Sequence, residues 1–134
     1  MFINFLLVAL GGGIGACGRY GAGLIANSLI HSEHILYGFP IHTMIVNILG
    51  CFIIGFVSHF LSQSSLEHKD LWQLFAITGC LGGFTTFSSF SLESITLISS
   101  GKQPESIIYI FGTIIVCLLG ALAGRALAQL IWNN

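Results

Sequence analysis

Charge is what this chain has least of. Four Lys or Arg and five Asp or Glu stand among 134 residues, 7% of the chain, where soluble domains average about 25%. A net charge of −1 excludes the basic footprint that a nucleic-acid backbone requires. With 54% of residues hydrophobic and a mean hydropathy of +0.92, too little polar surface exists to cover a water-soluble domain, and lipid must be the solvent. Only two prolines occur. Pro40 and Pro104 stand near the starts of apolar runs, where a missing N–H costs little. The four cysteines, Cys17, Cys51, Cys80 and Cys117, each fall in a different apolar segment without a C-x-x-C pair. They read as small apolar residues rather than as a metal cluster. His31 and His34 sit with Glu33 in a polar loop, where solvation is the default. No Lys or Arg precedes the first apolar run, and Gly11, Gly12 and Gly13 interrupt it early, so the N-terminal segment is expected to be retained.

A spanning helix needs about 20 apolar residues. The chain therefore holds four spans with short connections and no separate catalytic domain. The first apolar segment runs from about Ile3 to Ile30 and the second from about Gly38 to Leu61. A loop from Ser62 to Asp70 leads to the third, from about Leu71 to Ile98. Ser99–Gln103 form a tight loop, and Pro104 opens the fourth span, which ends near Trp132. Trp72 and Trp132 fall at span ends, where amphipathic rings prefer the membrane interface. Only helices and closed barrels satisfy every backbone group in lipid. These runs are long and lack period-2 alternation, so residues 1–134 read as one all-α integral membrane domain of four helices. The orientation signal is feeble: Lys69 and Arg125 on the side of the termini oppose Lys102 on the other. Such a chain could insert both ways, and four short helices enclose no pathway easily. Both points favour an oligomer, with antiparallel subunits allowed.

Polar groups inside a membrane are costly, so each demands a reason. Arg19 lies deep in the first segment. It needs a carbonyl, a carboxylate or a wet vestibule, and it either ties helix ends together or attracts anions. Asn47 lies mid-span with Thr43 at i−4 and Gly50 at i+3, so the three share a face. This stripe either bonds a neighbouring helix or lines a path. Gly11/Gly15, Gly79/Gly83 and Gly120/Gly124 are small-xxx-small pairs suited to close helix packing.

The third segment is the most informative. Gly82-Gly83 followed by Thr85-Thr86 is poor material for a continuous helix, which predicts a break mid-membrane. A broken helix frees carbonyls, which suit a desolvated hard cation such as Na+, and N–H groups, which suit an anion. Beyond the break Phe87 and Phe90 share a face, with Ser94 in line, while Ser88, Ser89 and Glu93 continue the polar character. The positive edges of two aromatic rings could solvate a small anion without trapping it. An aromatic pair alone reads as core packing; the adjacent break and hydroxyls point beyond that.

These residues resemble the Fluc family of fluoride channels, also called CrcB proteins, over essentially the whole chain. The matching stretches are Gly12 to Tyr20 with Arg19, Thr43 to Gly50 with Asn47, and Gly82 to Ser91 followed by Glu93. Departures are small: His42 stands where a Gly often precedes the Thr, and Ser89 where a Thr is common. The resemblance implies a dual-topology, antiparallel homodimer in the plasma membrane, the inner membrane of bacteria, with two fluoride pathways that use residues of both subunits. It implies that Phe87 and Phe90 form an aromatic box, that Asn47 is a hydrogen-bond donor to the pathway, and that Thr43, Ser88, Ser89 and Glu93 extend a polar track. Arg19 would shape a positive vestibule, and Tyr109 would face the pathway. The carbonyls of Gly82 and Thr85 would hold a central structural Na+. Hydrogen fluoride enters cells as the neutral acid and ionises in the more alkaline cytoplasm, so a passive pathway lets the trapped anion leave.

Two other classes fit less well. A small dual-topology multidrug transporter exchanges protons for cations on a carboxylate deep in its first span. Here that span carries Arg19, and Glu93 belongs to the third. An assembly subunit without transport would leave the Gly-Gly-x-Thr-Thr break beside two Phe unexplained. An enzyme is not expected, because no His, Cys or carboxylate constellation converges in the spans.

Overall fold

The computed structural model describes residues 1–30 and 39–132. The His31–His34 loop and the expected start of the second span at Gly38 lie outside the described residues. The described residues are helical throughout apart from short connections. Helix α1 covers Phe2–Ile30 and α2 covers Ile41–Gln63. Helix α3 covers residues 69–84, in three continuous pieces: Lys69–Trp72, a π-helical stretch Gln73–Leu81, and Gly82–Phe84. Helix α4 is Phe87–Ser99 and α5 is Gln103–Trp132. Four stretches are long and apolar enough to cross a membrane, α3 and α4 together forming the third. Leu, Ile and Phe side chains are exposed along all of them, as lipid solvation requires. The expected four-span, all-α architecture with a broken third helix is present.

Two tight helix pairs build the frame, and both are made by glycine. Helix α1 packs on α3. A Cβ on Gly11 would strike the Phe75 carbonyl, on Gly15 the Cys80 carbonyl, and on Gly83 the Gly12 carbonyl. The π-turns of α3 explain how one line serves this contact. Gly82 N–H reaches back to the Ile77 carbonyl, and the wider turn aligns residues four to five apart. Phe75, Gly79 with Cys80, and Gly83 with Phe84 thus all meet α1. Helix α2 packs on α5 in the same manner: Gly55 lies against the Ala121 carbonyl, and Gly124 against the Phe52 carbonyl. The small-xxx-small pairs read from the sequence therefore act within the subunit.

Helix ends follow local chemistry. Pro40 caps the start of α2, where its missing N–H is harmless. At the α4–α5 turn Gly101 takes φ +74. Lys102 N–H then bonds the Leu97 carbonyl and Gly101 N–H the Ile98 carbonyl, a Schellman closure that a left-handed glycine permits. The third span opens at Lys69 rather than at Leu71, since Lys and Asp70 can start a helix at the interface while remaining in water.

A candidate ion pathway at the helix break

The break falls three residues later than the glycine pair itself. Gly82–Phe84 still continue α3, and the extended residues are Thr85 (φ −77, ψ 156) and Thr86 (φ −147, ψ 112). Glycine weakens the helix but does not stop it; the β-branched threonines that follow favour extended backbone. Inside a membrane every freed backbone group needs a partner, and two of the sequence-predicted site residues supply one. Asn47 brackets Thr86 from both sides. Its Oδ1 accepts from Thr86 N–H at 2.8 Å, and its Nδ2 donates to the Thr86 carbonyl at 3.1 Å. Arg19 reaches across from α1, and its Nη1 donates to the Thr85 carbonyl at 3.3 Å. Arg19 thus ties a helix end, the first of the two roles read for it, and it also lines an open cavity.

Thr86 is the residue that sequence reasoning missed. It is buried, and its Oγ1 caps α4 by accepting from Ser89 N–H at 3.2 Å. The same oxygen lies 3.1 Å from both the Ser88 and Ser89 hydroxyls. A threonine immediately before a helical run, with a polar residue three places on, is an N-cap signal that could have found it.

Two cavities flank this clamp. One, about 340 Å³, is lined by Arg19, Tyr20, His42, Thr43, Thr86 and Ser89. The other, about 330 Å³, is lined by Asn47, Thr85, Phe87, Phe90, Thr113 and Cys117 among others. Thr86 belongs to both. Phe87 and Phe90 have ring centroids 5.4 Å apart and tilted by 47°. They differ in exposure: Phe90 is 6% exposed and Phe87 is 76%, so one ring is seated in the subunit and the other stands at its surface. Phe90 also packs against Tyr109, centroid to centroid 5.3 Å.

Glu93 is the hub of a second cluster. Its Oε1 accepts from Thr43 Oγ1 at 2.7 Å and its Oε2 from the Tyr109 hydroxyl at 2.7 Å. His42 Nε2 lies 3.6 Å from Oε1 and 3.1 Å from Thr43 Oγ1. Thr43, Glu93 and Tyr109, from three helices, thus form one hydrogen-bonded unit that leads to Phe90. Ser94 is spent on the Phe90 carbonyl. Thr113, one helical turn after Tyr109, is buried with its hydroxyl unpartnered among the described residues. It lines the aromatic cavity, and its spacing from Tyr109 was the available signal.

For a backbone-held cation, Gly82 is the better placed of the two expected ligands. Its carbonyl would bond the Thr86 N–H in a continuous helix, but that N–H is given to Asn47. The Thr85 carbonyl shares its lone pairs with Arg19.

This is a four-span membrane protein whose interrupted third helix carries a polar, aromatic-edged site. Residues 6–125 match the family described as CrcB-like protein, Camphor Resistance (CrcB), and the chain belongs to that family. It is 43% identical over 129 residues to the fluoride-specific ion channel FluC of Ruminiclostridium cellulolyticum, which covers 96% of this chain and 95% of that protein. Proteins of the same name from Helicobacter pylori strain J99 and from Hydrogenobaculum sp. are 39% and 40% identical, over 130 and 129 residues, each covering 96% of this chain and, respectively, 95% and 100% of the relative. The relatives are named as channels, so the family is not one of enzymes.

Proposed function

We propose that the protein is a passive, fluoride-selective channel that exports cytoplasmic fluoride across the bacterial inner membrane. The observation that carries this reading is the start of α4 inside the membrane. There the N–H groups of Phe87 and Ser88 have no intrahelical acceptor, the helix dipole favours an anion, and Asn47 and the Phe87–Phe90 edges stand around the same space. The names of the relatives supply the anion: a channel specific for fluoride. Fluoride is small and strongly hydrated, so many donors of graded strength must replace its water at closely matched cost. Strong amide and hydroxyl donors followed by weak ring edges provide such a gradient.

The functional unit in this reading is an antiparallel homodimer with two pathways. Phe87, open on the surface of one subunit, would be covered by the other. A structural Na+ at the dimer centre would be held by the Gly82 carbonyl and the remaining lone pair of the Thr85 carbonyl. All-carbonyl sites suit Na+ better than Mg2+, which keeps its waters. The bound Na+ would supply a fixed positive charge that offsets the cost of an anion in low dielectric. The drug-transporter alternative wants a carboxylate free to exchange protons for cations, and both oxygens of Glu93 are already engaged.

The direct test is efflux from proteoliposomes loaded with fluoride, with chloride and a drug cation as controls. Fluoride is expected to leave down its gradient without a proton gradient; exclusive proton-coupled cation export would reverse the reading. Reporter fusions after Asn134 are expected on both faces of the membrane, because Lys and Arg differ so little between the two sides. One orientation in all clones would remove the antiparallel dimer and leave efflux to be explained otherwise.

A further inference from the structure

A third cavity lies between α2 and α5 toward the end of the bundle that holds Trp132. It is about 640 Å³ and is lined by Ser58, His59, Ser62, Leu118, Ala121 and Arg125 among others. Three observations single it out. Leu118 and Ala121 also line the aromatic cavity, so the two spaces are neighbours along one helix groove. His59 is 8% exposed, and its Nε2, sealed inside the protein, has no partner among the described residues. A buried nitrogen of this kind is costly unless something bonds it. Arg125 is exposed, makes no hydrogen bond or ion pair with the described residues, and no carboxylate lines the cavity with it. Seven residues, or about 10 Å of helix, separate it from Trp132, which packs on Phe56 and Phe60. Arg125 therefore lines the groove about two helical turns from an aromatic cluster at a span end.

We propose that Arg125 and His59 form an anion-binding mouth, the second entrance of the fluoride route, on the side opposite the Arg19 cavity. Resting on the channel reading, this assigns the chain a capture site: Arg125 draws fluoride from water, and His59, by turning its covered Nε2–H toward the cavity, offers it a first neutral donor. The cavity then passes the anion along Ala121 and Leu118 toward Asn47 and the two Phe rings. A positive cleft with low-dielectric walls raises the local concentration of its ion.

Fluoride efflux from proteoliposomes tests this at two ionic strengths. Arg125→Gln is expected to lower flux by about tenfold in low salt, and the deficit should narrow as inert salt is raised, since screening removes the attraction in the wild type as well. Arg125→Lys, which keeps the charge, should retain most of the flux. His59→Phe preserves the ring packing and should raise the fluoride concentration needed for half-maximal flux. Wild-type flux in Arg125→Gln at low salt overturns the mouth while the channel reading stands. A deficit equal at every ionic strength makes Arg125 a packing residue and also overturns it. A variant that conducts normally but no longer responds to phosphatidylglycerol in the vesicles assigns the cavity to a lipid phosphate instead. Absence of fluoride flux in the wild type is a different failure, that of the channel reading itself.

Discussion

Phe90→Ile is expected to abolish fluoride throughput in a protein that still folds and keeps its oligomeric size. Isoleucine matches the apolarity and much of the bulk of Phe90, and swaps of this kind in a core usually cost less than about 1.5 kcal/mol. Losing the ring contact with Tyr109 adds about 0.5–1.5 kcal/mol at most. What isoleucine cannot supply is a polarised edge. If Phe90 serves only as packing, flux should follow stability and fall little. If its edge replaces water around fluoride, flux should collapse by orders of magnitude with a normal elution profile on size exclusion. Phe87→Ile sharpens the contrast, because Phe87 is 76% exposed in the subunit and contributes almost nothing to its core. Phe84→Ile is the control. That ring faces Gly18 and Gly50, away from the aromatic cavity, and its replacement should leave throughput near the wild-type level. Full flux in a folded Phe87→Ile/Phe90→Ile double mutant would refute the aromatic route.

The sequence made the spans legible because hydropathy over 20-residue windows reports a single dominant force, exclusion from water. It made the broken helix legible because Gly-Gly-x-Thr-Thr violates helix propensity in a place where lipid tolerates no idle violation. It could not place the break at Thr85–Thr86 rather than at Gly82–Gly83. That choice depends on Asn47 and Arg19 arriving from other helices to satisfy the exposed backbone. Nor did periodicity show that α3 is wound with π-turns. Their register is set by where Gly11, Gly12 and Gly15 allow α1 to approach, a tertiary fact. Asn47, read as either interhelical glue or pathway donor, is glue in the subunit through its two bonds to Thr86, and its second amide hydrogen has no acceptor among the described residues. Thr43, Glu93 and Tyr109 are 50 and 16 residues apart in sequence. No spacing rule joins them, and only packing does. The buried His59 nitrogen was invisible for the same reason: a histidine is recognisable in a sequence, but the absence of its partner is not.

Asn47 separates stability from conduction, because its two substitutions rank differently in the two properties. Alanine at 47 leaves the Thr86 N–H and carbonyl, both held by this side chain in a buried position, without partners. Each orphaned group costs about 1–3 kcal/mol, so Asn47→Ala should lower thermal stability in detergent substantially and weaken the cap of α4 as Thr86 shifts. Aspartate has the same shape. A charge buried there would be costly, so the neutral acid is the form that fits: its carbonyl accepts from the Thr86 N–H and its O–H donates to the Thr86 carbonyl, so Asn47→Asp should be the more stable of the two variants. In conduction the order should reverse or the difference vanish. The acid's single O–H is spent on the Thr86 carbonyl, so the second amide hydrogen that Asn47 would offer fluoride is gone, and any ionised fraction would repel the anion through a low-dielectric medium. Asn47→Asp is therefore expected to be better folded than Asn47→Ala yet to pass no fluoride. The check pairs melting curves of both proteins with efflux from liposomes containing matched amounts of each. If aspartate conducts in proportion to its stability, Asn47 holds the break and nothing more, and the anion must cross the membrane by a route that avoids it.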